Sequence, residues 1–136
     1  MLNHYIPSID ELYIGFECKI KHDNEYVPYT INNHNDFNVH FSEFRVKWLD
    51  KQDIIDLGFT LKKDFEGYSK FYINVPNTEP LYYTLECENT GPNTYVSIID
   101  NYGNRLVDRL WLRNKNELKW ILNRYGILTK DSKSDS

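Results

Sequence analysis

The stretch "WLDKQDIIDLGF" (residues 48–59) decides how this chain is read. Asp50 stands three residues before Asp53, an apolar cluster follows, and Gly58 closes it before Phe59. A helix leaves its first backbone N–H groups without partners, and a carboxylate at the N-cap accepts from them. A second acidic side chain three residues on reaches back to the cap N–H, as in a capping box. A glycine past the last turn takes the left-handed conformation that ends a helix, and an apolar residue after it packs back. The stretch therefore predicts a short helix with its own start and stop signals. Further on, "RNKNELKWILNRYGI" (residues 113–127) repeats the arrangement with Asn114, Glu117, Gly126 and Ile127. A DNA-reading helix pair is joined by a short turn. Here positions 60–113 intervene, so these units read as structural devices and not as a recognition pair.

The intervening chain is a run of short alternating segments: 59–63, 68–75, 81–87, 94–100 and 105–112. Between them lie "DFEG", "PNTEP", "ENTGPN" and "NYGN", rich in the Gly, Pro, Asn and Asp that turns require. Connections this short favour neighbouring antiparallel strands. Upstream, residues 7–12 predict one helical turn, and 13–20 pairs with 25–31 as a hairpin across His22–Asn24. Pro28 cannot donate to a ladder, which assigns that second strand to an edge or a bulge. Residues 32–38 read as a loop and 44–49 as a strand. The expected fold is α+β: an antiparallel β-meander with two helices on one face, preceded by an N-terminal β-hairpin. One domain over residues 1–128 is expected, with 129–136 as a flexible polar tail.

Strand parity separates two faces. Phe71, Ile73, Val75, Leu81, Tyr83, Leu85, Cys87, Val96 and Ile98 are expected to face the helices. Leu118, Ile121, Leu122 and Tyr125 recur at helical spacing and are expected to dock there. Tyr72, Tyr82, Tyr95 and Trp111 then point the other way, flanked by Lys70, Arg105 and Arg109. Tyr, Trp and Arg are the residues enriched at protein interfaces. Aromatics interleaved with cations also make a stacking platform for single-stranded nucleic acid. A third reading is that the hairpin at 13–31 folds over this face.

Bulk composition narrows these readings. The 136 residues carry eleven Tyr, seven Phe and three Trp, enough aromatic surface to drive folding. Formal net charge is −4, so no whole-molecule basic field for a polyanion exists. The balance is uneven: eight Lys/Arg against sixteen Asp/Glu in residues 1–104, but six against two in 105–125. Cys18 and Cys87 belong to no CxxC pair and read as reduced, apolar side chains. The opening "MLNHYIPSID" lacks a basic start and an apolar core, and no run approaches a membrane span, so a soluble cytoplasmic protein without a membrane partner is expected.

Three segments, "HYIPSIDELYIGFE" (4–17), "KWLDKQDIIDLGF" (47–59) and "NKNELKWILNRYGI" (114–127), resemble a group of small uncharacterised proteins of Bacteroidetes and their tailed, crAss-like phages. Where such proteins often read Gly-Phe-Glu-Tyr-Glu, this chain reads Gly15-Phe16-Glu17-Cys18-Lys19. The resemblance implies a phage or bacterial accessory protein, in the host cytoplasm or the virion, and brings no catalytic residues.

Candidate chemistry is sparse. His34, Asp36 and His40 are residue types that bind transition metals, but their spacing matches no metal signature, and loop polarity explains them. Asp100, Asn101 and Asn104 around Gly103 lack the length and closing Glu of a calcium loop and read as a hairpin turn. Cys18, Cys87 and His22 form no triad, and no Walker loop or GxGxxG is present. The expectation is a non-enzymatic protein with no catalytic residues, cofactor or metal. It binds another protein or its own copies through Tyr72, Tyr82, Tyr95, Arg105, Arg109 and Trp111, with single-stranded nucleic acid as the alternative partner.

Overall fold

A computed structural model describes residues 3–33, 43–76, 82–91 and 93–127. The sequence reads as one domain over residues 1–128, whereas the backbone contacts divide the chain into two compact units, Met1–Trp48 and Leu49–Ser136. Each has its own buried cluster. Residues 34–40, with His34, Asp36 and His40, lie outside the described residues, as do Leu81 and the tail at 129–136.

The first unit is a four-stranded antiparallel sheet ordered β1-β4-β2-β3, from β1 (His4–Tyr5), β2 (Glu17–His22), β3 (Glu25–Thr30) and β4 (Phe44–Lys47). Strands β2 and β3 form a hairpin closed by two residues, Asp23 at φ 49° and Asn24 at φ 67°. Two consecutive positive φ angles mark the turn whose twist matches paired strands, and Asp and Asn tolerate them best among non-glycine residues. Pro28 lies on β3, at the end of the strand order, opposite Lys19. Strand β2 begins at Glu17 and not at residue 13, because Phe16 donates back to the Tyr13 carbonyl around Gly15 at φ 98°. The expected helical turn is a 3₁₀ turn at Ile9–Glu11 with a Ser8–Glu11 capping box. Phe16, Ile31, Phe44 and Val46 are this unit's core.

The second unit is a five-stranded antiparallel meander, β5-β6-β7-β8-β9, with helix α1 (Lys51–Asp56) before it and helix α2 (Lys115–Arg124) after it. The strands are β5 (Thr60–Phe65), β6 (Tyr68–Asn74), β7 (Tyr83–Asn89), β8 (Thr94–Asp100) and β9 (Arg105–Leu112). Both helix units are built as the sequence implies. Asp50 accepts the Asp53 N–H at 2.9 Å, and Asp53 accepts the Asp50 N–H at 3.3 Å. Gly58 at φ 104° donates to Ile55, and Phe59 donates to Ile54, which together form a Schellman ending. Asn114 accepts the Glu117 N–H at 3.0 Å, and Gly126 and Ile127 close α2 with the same pair of bonds, to Asn123 and Leu122. The Glu117 carboxylate accepts from the backbone N–H and the guanidinium of Arg113, one residue before the cap. The Leu49 N–H donates to the Arg113 carbonyl at 2.9 Å, so the entries to the two helices are tied together.

One buried cluster collects Ile54 and Leu57 with Leu118, Ile121 and Leu122 from the helical segments, and Phe71, Val75, Leu85, Cys87, Val96 and Ile98 from alternate strand positions. Burying each of the larger side chains contributes about 1.5–3 kcal/mol. Tyr125 departs from its expected place: it caps α2, is 38% exposed, and Ile127 beyond the glycine enters the core instead. The Schellman turn ends the helical phase before residue 125, so i+7 spacing no longer predicts its direction.

Candidate interaction surface on the five-stranded sheet

The strand register lays out the face opposite the buried cluster. Lys70, Glu88, Tyr95 and Trp111 stand in one row across β6, β7, β8 and β9. Tyr72, Glu86 and Ser97 form the next row. Tyr82 immediately precedes β7, in parity with Glu86 and Glu88. Tyr82 is 54% and Trp111 47% exposed, while Tyr72 and Tyr95 are half-buried. Tyr72, Tyr82, Tyr95 and Trp111 thus belong to one side, as parity implies.

Strand β9 reaches this arrangement by a route that alternation does not give. Strict alternation puts Val107 on the side of Arg105, Arg109 and Trp111. In the fold Val107 packs against the core. Two irregularities make the difference. Val96 pairs with Leu110 and Ile98 with Val107, so two residues, Asp108 and Arg109, oppose Ser97 alone. A second slip follows between the Ile98–Val107 and Ile99–Arg105 pairs. Such bulges bend a strand and re-aim its side chains. Arg109 sits at φ 52°, a left-handed position that L-residues rarely take. The Ser97 hydroxyl holds the bulge, accepting the Arg109 N–H and an Arg105 guanidinium N–H, each at 3.0 Å.

Four cations of this sheet, Lys62, Lys70, Arg105 and Arg109, lie beside three carboxylates, and Lys63 stands opposite Lys70 on the same face. Arg109 lies over the Tyr95 ring, 4.6 Å from its centroid, and 3.9 Å from the Glu88 carboxylate. Arg105 bonds Asp108 at 3.2 Å. Glu86 takes Lys62 at 3.4 Å and Lys70 at 3.7 Å. Glu88 also accepts the Tyr68 hydroxyl at 2.8 Å. Burial, then that bond and the Glu88 charge, push the Tyr68 phenol up to about 12, so it donates throughout the neutral range.

Glu86, Glu88, Lys62, Tyr68 and Ser97 were not among the candidates read from sequence. A signal for the two glutamates existed. In "LYYTLECEN" Glu86 and Glu88 share parity with Tyr82, so a face that carries the tyrosine carries the acids too. For Lys62 no such signal exists, because the register shifts between Leu61 and Lys63.

The other candidates have structural roles. The Asp100 carboxylate accepts the backbone N–H groups of Tyr102 and Asn104, each at 2.9 Å, inside the β8–β9 turn, where Gly103 has φ 87°. Burial pushes its carboxyl up, but these bonds and that from the Asn104 side chain outweigh it and hold the group below its ordinary value. Neither Cys18 nor Cys87 is in a disulfide, and burial pushes the Cys87 thiol well up. Among the described residues no three His, Cys, Asp or Glu side chains are grouped to hold a metal ion, and no helix is long and apolar enough to cross a membrane.

Comparison with known proteins finds no matching family model, no matching curated protein and no matching solved structure.

Proposed function

We propose that this chain is a non-enzymatic binding module that docks a protein partner, or another copy of itself, on the outer face of the five-stranded sheet. One observation carries the reading: Trp111 and Tyr82 each leave about half their surface in solvent, beside cations already matched to carboxylates. A polyanion is held by cations whose counterions it releases. Lys62, Lys70, Arg105 and Arg109 have carboxylate partners within the fold, which weakens that attraction. Exposed aromatics beside cations that already have carboxylate partners suit protein docking better, where Trp and Tyr anchor interfaces and fully charged cores are avoided. A phage or bacterial accessory role is part of the proposal and is supported by the three-segment resemblance alone.

Sedimentation velocity of the purified chain, alone and with cross-linked candidates from native lysate, tests the reading. Self-association or one specific complex is expected, and Trp111→Ala is expected to abolish it while leaving the fold intact. A strictly monomeric chain with no complex sensitive to Trp111 overturns it. Salt-dependent binding to an unstructured oligonucleotide, lost in Trp111→Ala, would favour the nucleic-acid alternative.

A further inference from the structure

We propose that the depression around Glu86, beside the aromatic row, is a subsite for a neutral polyhydroxyl ring, the sugar of a glycan. It is independent of protein docking at Trp111. The depression has a volume of about 460 Å³ and is lined by Lys62, Tyr72, Asn74, Thr84, Glu86 and Ile99. That size falls within the roughly 300–1,000 Å³ of small-molecule sites.

The chemistry of the lining selects the ligand. The Glu86 side chain is 10% exposed, on the central strand β7. Among the described residues its carboxylate meets Lys62 at 3.4 Å and Lys70 at 3.7 Å. A charge-assisted hydrogen bond is shorter, about 2.7–2.9 Å. A buried carboxylate with lone pairs served only at long range is a strong acceptor for a donor that enters the depression. The two ammonium groups have donors to spare, since each carries three. A cation is opposed by both lysines. An anion would lie against Glu86, which the central strand holds in place. A neutral group that donates and accepts at once satisfies both sides, and adjacent hydroxyls on a ring do this. They donate to Glu86 and accept from Lys62, the ammonium that lines the depression. The Thr84 hydroxyl, which donates to the Asn74 side chain at 3.2 Å, adds a polar pair on the same wall. Tyr72 and Ile99 supply the apolar wall that the C–H face of a sugar ring packs against.

The test is an amide chemical-shift titration of the full chain with methyl glucoside, methyl mannoside, galactose and N-acetylglucosamine at millimolar concentrations. At least one sugar is expected to shift residues 72, 74, 84 and 86 saturably. Glu86→Gln is expected to weaken that binding about tenfold or more, as loss of a charge-assisted hydrogen bond does. Thr84→Val is a second, milder variant expected to weaken it if Glu86→Gln fails to fold. Trp111→Ala is expected to leave it unchanged. Silence toward all four sugars overturns the proposal, as does full-strength binding in both pocket variants. Acetate or inorganic phosphate shifting the same residues while sugars do not would overturn it in favour of an anion site on the lysines. Tighter binding of adenosine than of any sugar would overturn it in favour of a nucleoside ribose.

Discussion

Gly58 shows how much a single position can hold. Its φ of 104° lies where L-residues are strained, and a Cβ there would meet the Ile73 Cδ1 at 3.7 Å, ordinary contact. Space is therefore not the obstacle; backbone conformation is. Gly58→Val is expected to destabilise the fold by about 1–2 kcal/mol or more, since a branched side chain fits left-handed backbone worst. A denaturant midpoint equal to wild type would remove the Schellman reading. Tyr68 gives a pH signature. Its phenol is raised from 10.0 to about 12 in the folded chain, so the neutral form is favoured by folding. Its contribution is complete below about pH 10 and drains away as pH rises toward 12. Ultraviolet titration should show one tyrosine ionising late, and Tyr68→Phe should remove that step. The same variant removes the phenol that bonds Glu88, leaving Arg109 at 3.9 Å, and is expected to cost about 1–3 kcal/mol at neutral pH.

At the scale of the element, β9 and α2 respond differently to substitution. Strand β9 depends on a left-handed Arg109 whose N–H is held by Ser97. Substitutions at 109 should rank Gly above Ala above Val in stability, the reverse of ordinary strand preference, because conformation outweighs β-propensity at a bulge. Denaturant midpoints of the three variants check the order. Helix α2 depends on its apolar stripe. Leu118 is fully buried, and Leu118→Ala is expected to cost about 2–5 kcal/mol, read from urea or thermal melts. The paired helix entries, joined by the Leu49–Arg113 bond, explain why two similar signal sets frame the meander without forming a recognition motif.

For the whole molecule, the net charge of −4 and the carboxylate partners of Lys62, Lys70, Arg105 and Arg109 oppose a polyanion together. Fluorescence anisotropy with a labelled single-stranded oligonucleotide is expected to show no binding at physiological salt. The basic run at 105–125 is offset in part: Arg105 bonds Asp108, and Arg113 bonds Glu117 at 2.7 Å. Sequence counting finds the charges but not their distances, and the distances decide the field.

Local chemistry was legible from the chain alone. Caps, helix-ending glycines, a hairpin turn within His22–Asn24 and the meander are set by neighbours within a few residues, where backbone sterics and hydrogen bonds act without help from the rest of the fold. Strand parity also assigned Tyr72, Tyr82, Tyr95 and Trp111 to one side, because side chains alternate wherever a ladder is regular. Three things needed tertiary structure. The bulges in β9 turned Val107 inward while Arg109 and Trp111 kept the outer side, since a two-for-one pairing depends on the neighbouring strand. The turn past Arg124 took Tyr125 off the apolar stripe. Cross-strand pairing brought Lys62 and Lys70 to Glu86, residues 24 and 16 positions apart in the chain, and set carboxylates among the aromatics and cations of the platform. Interactions between strands depend on register, and register is a property of the folded sheet, not of any one segment.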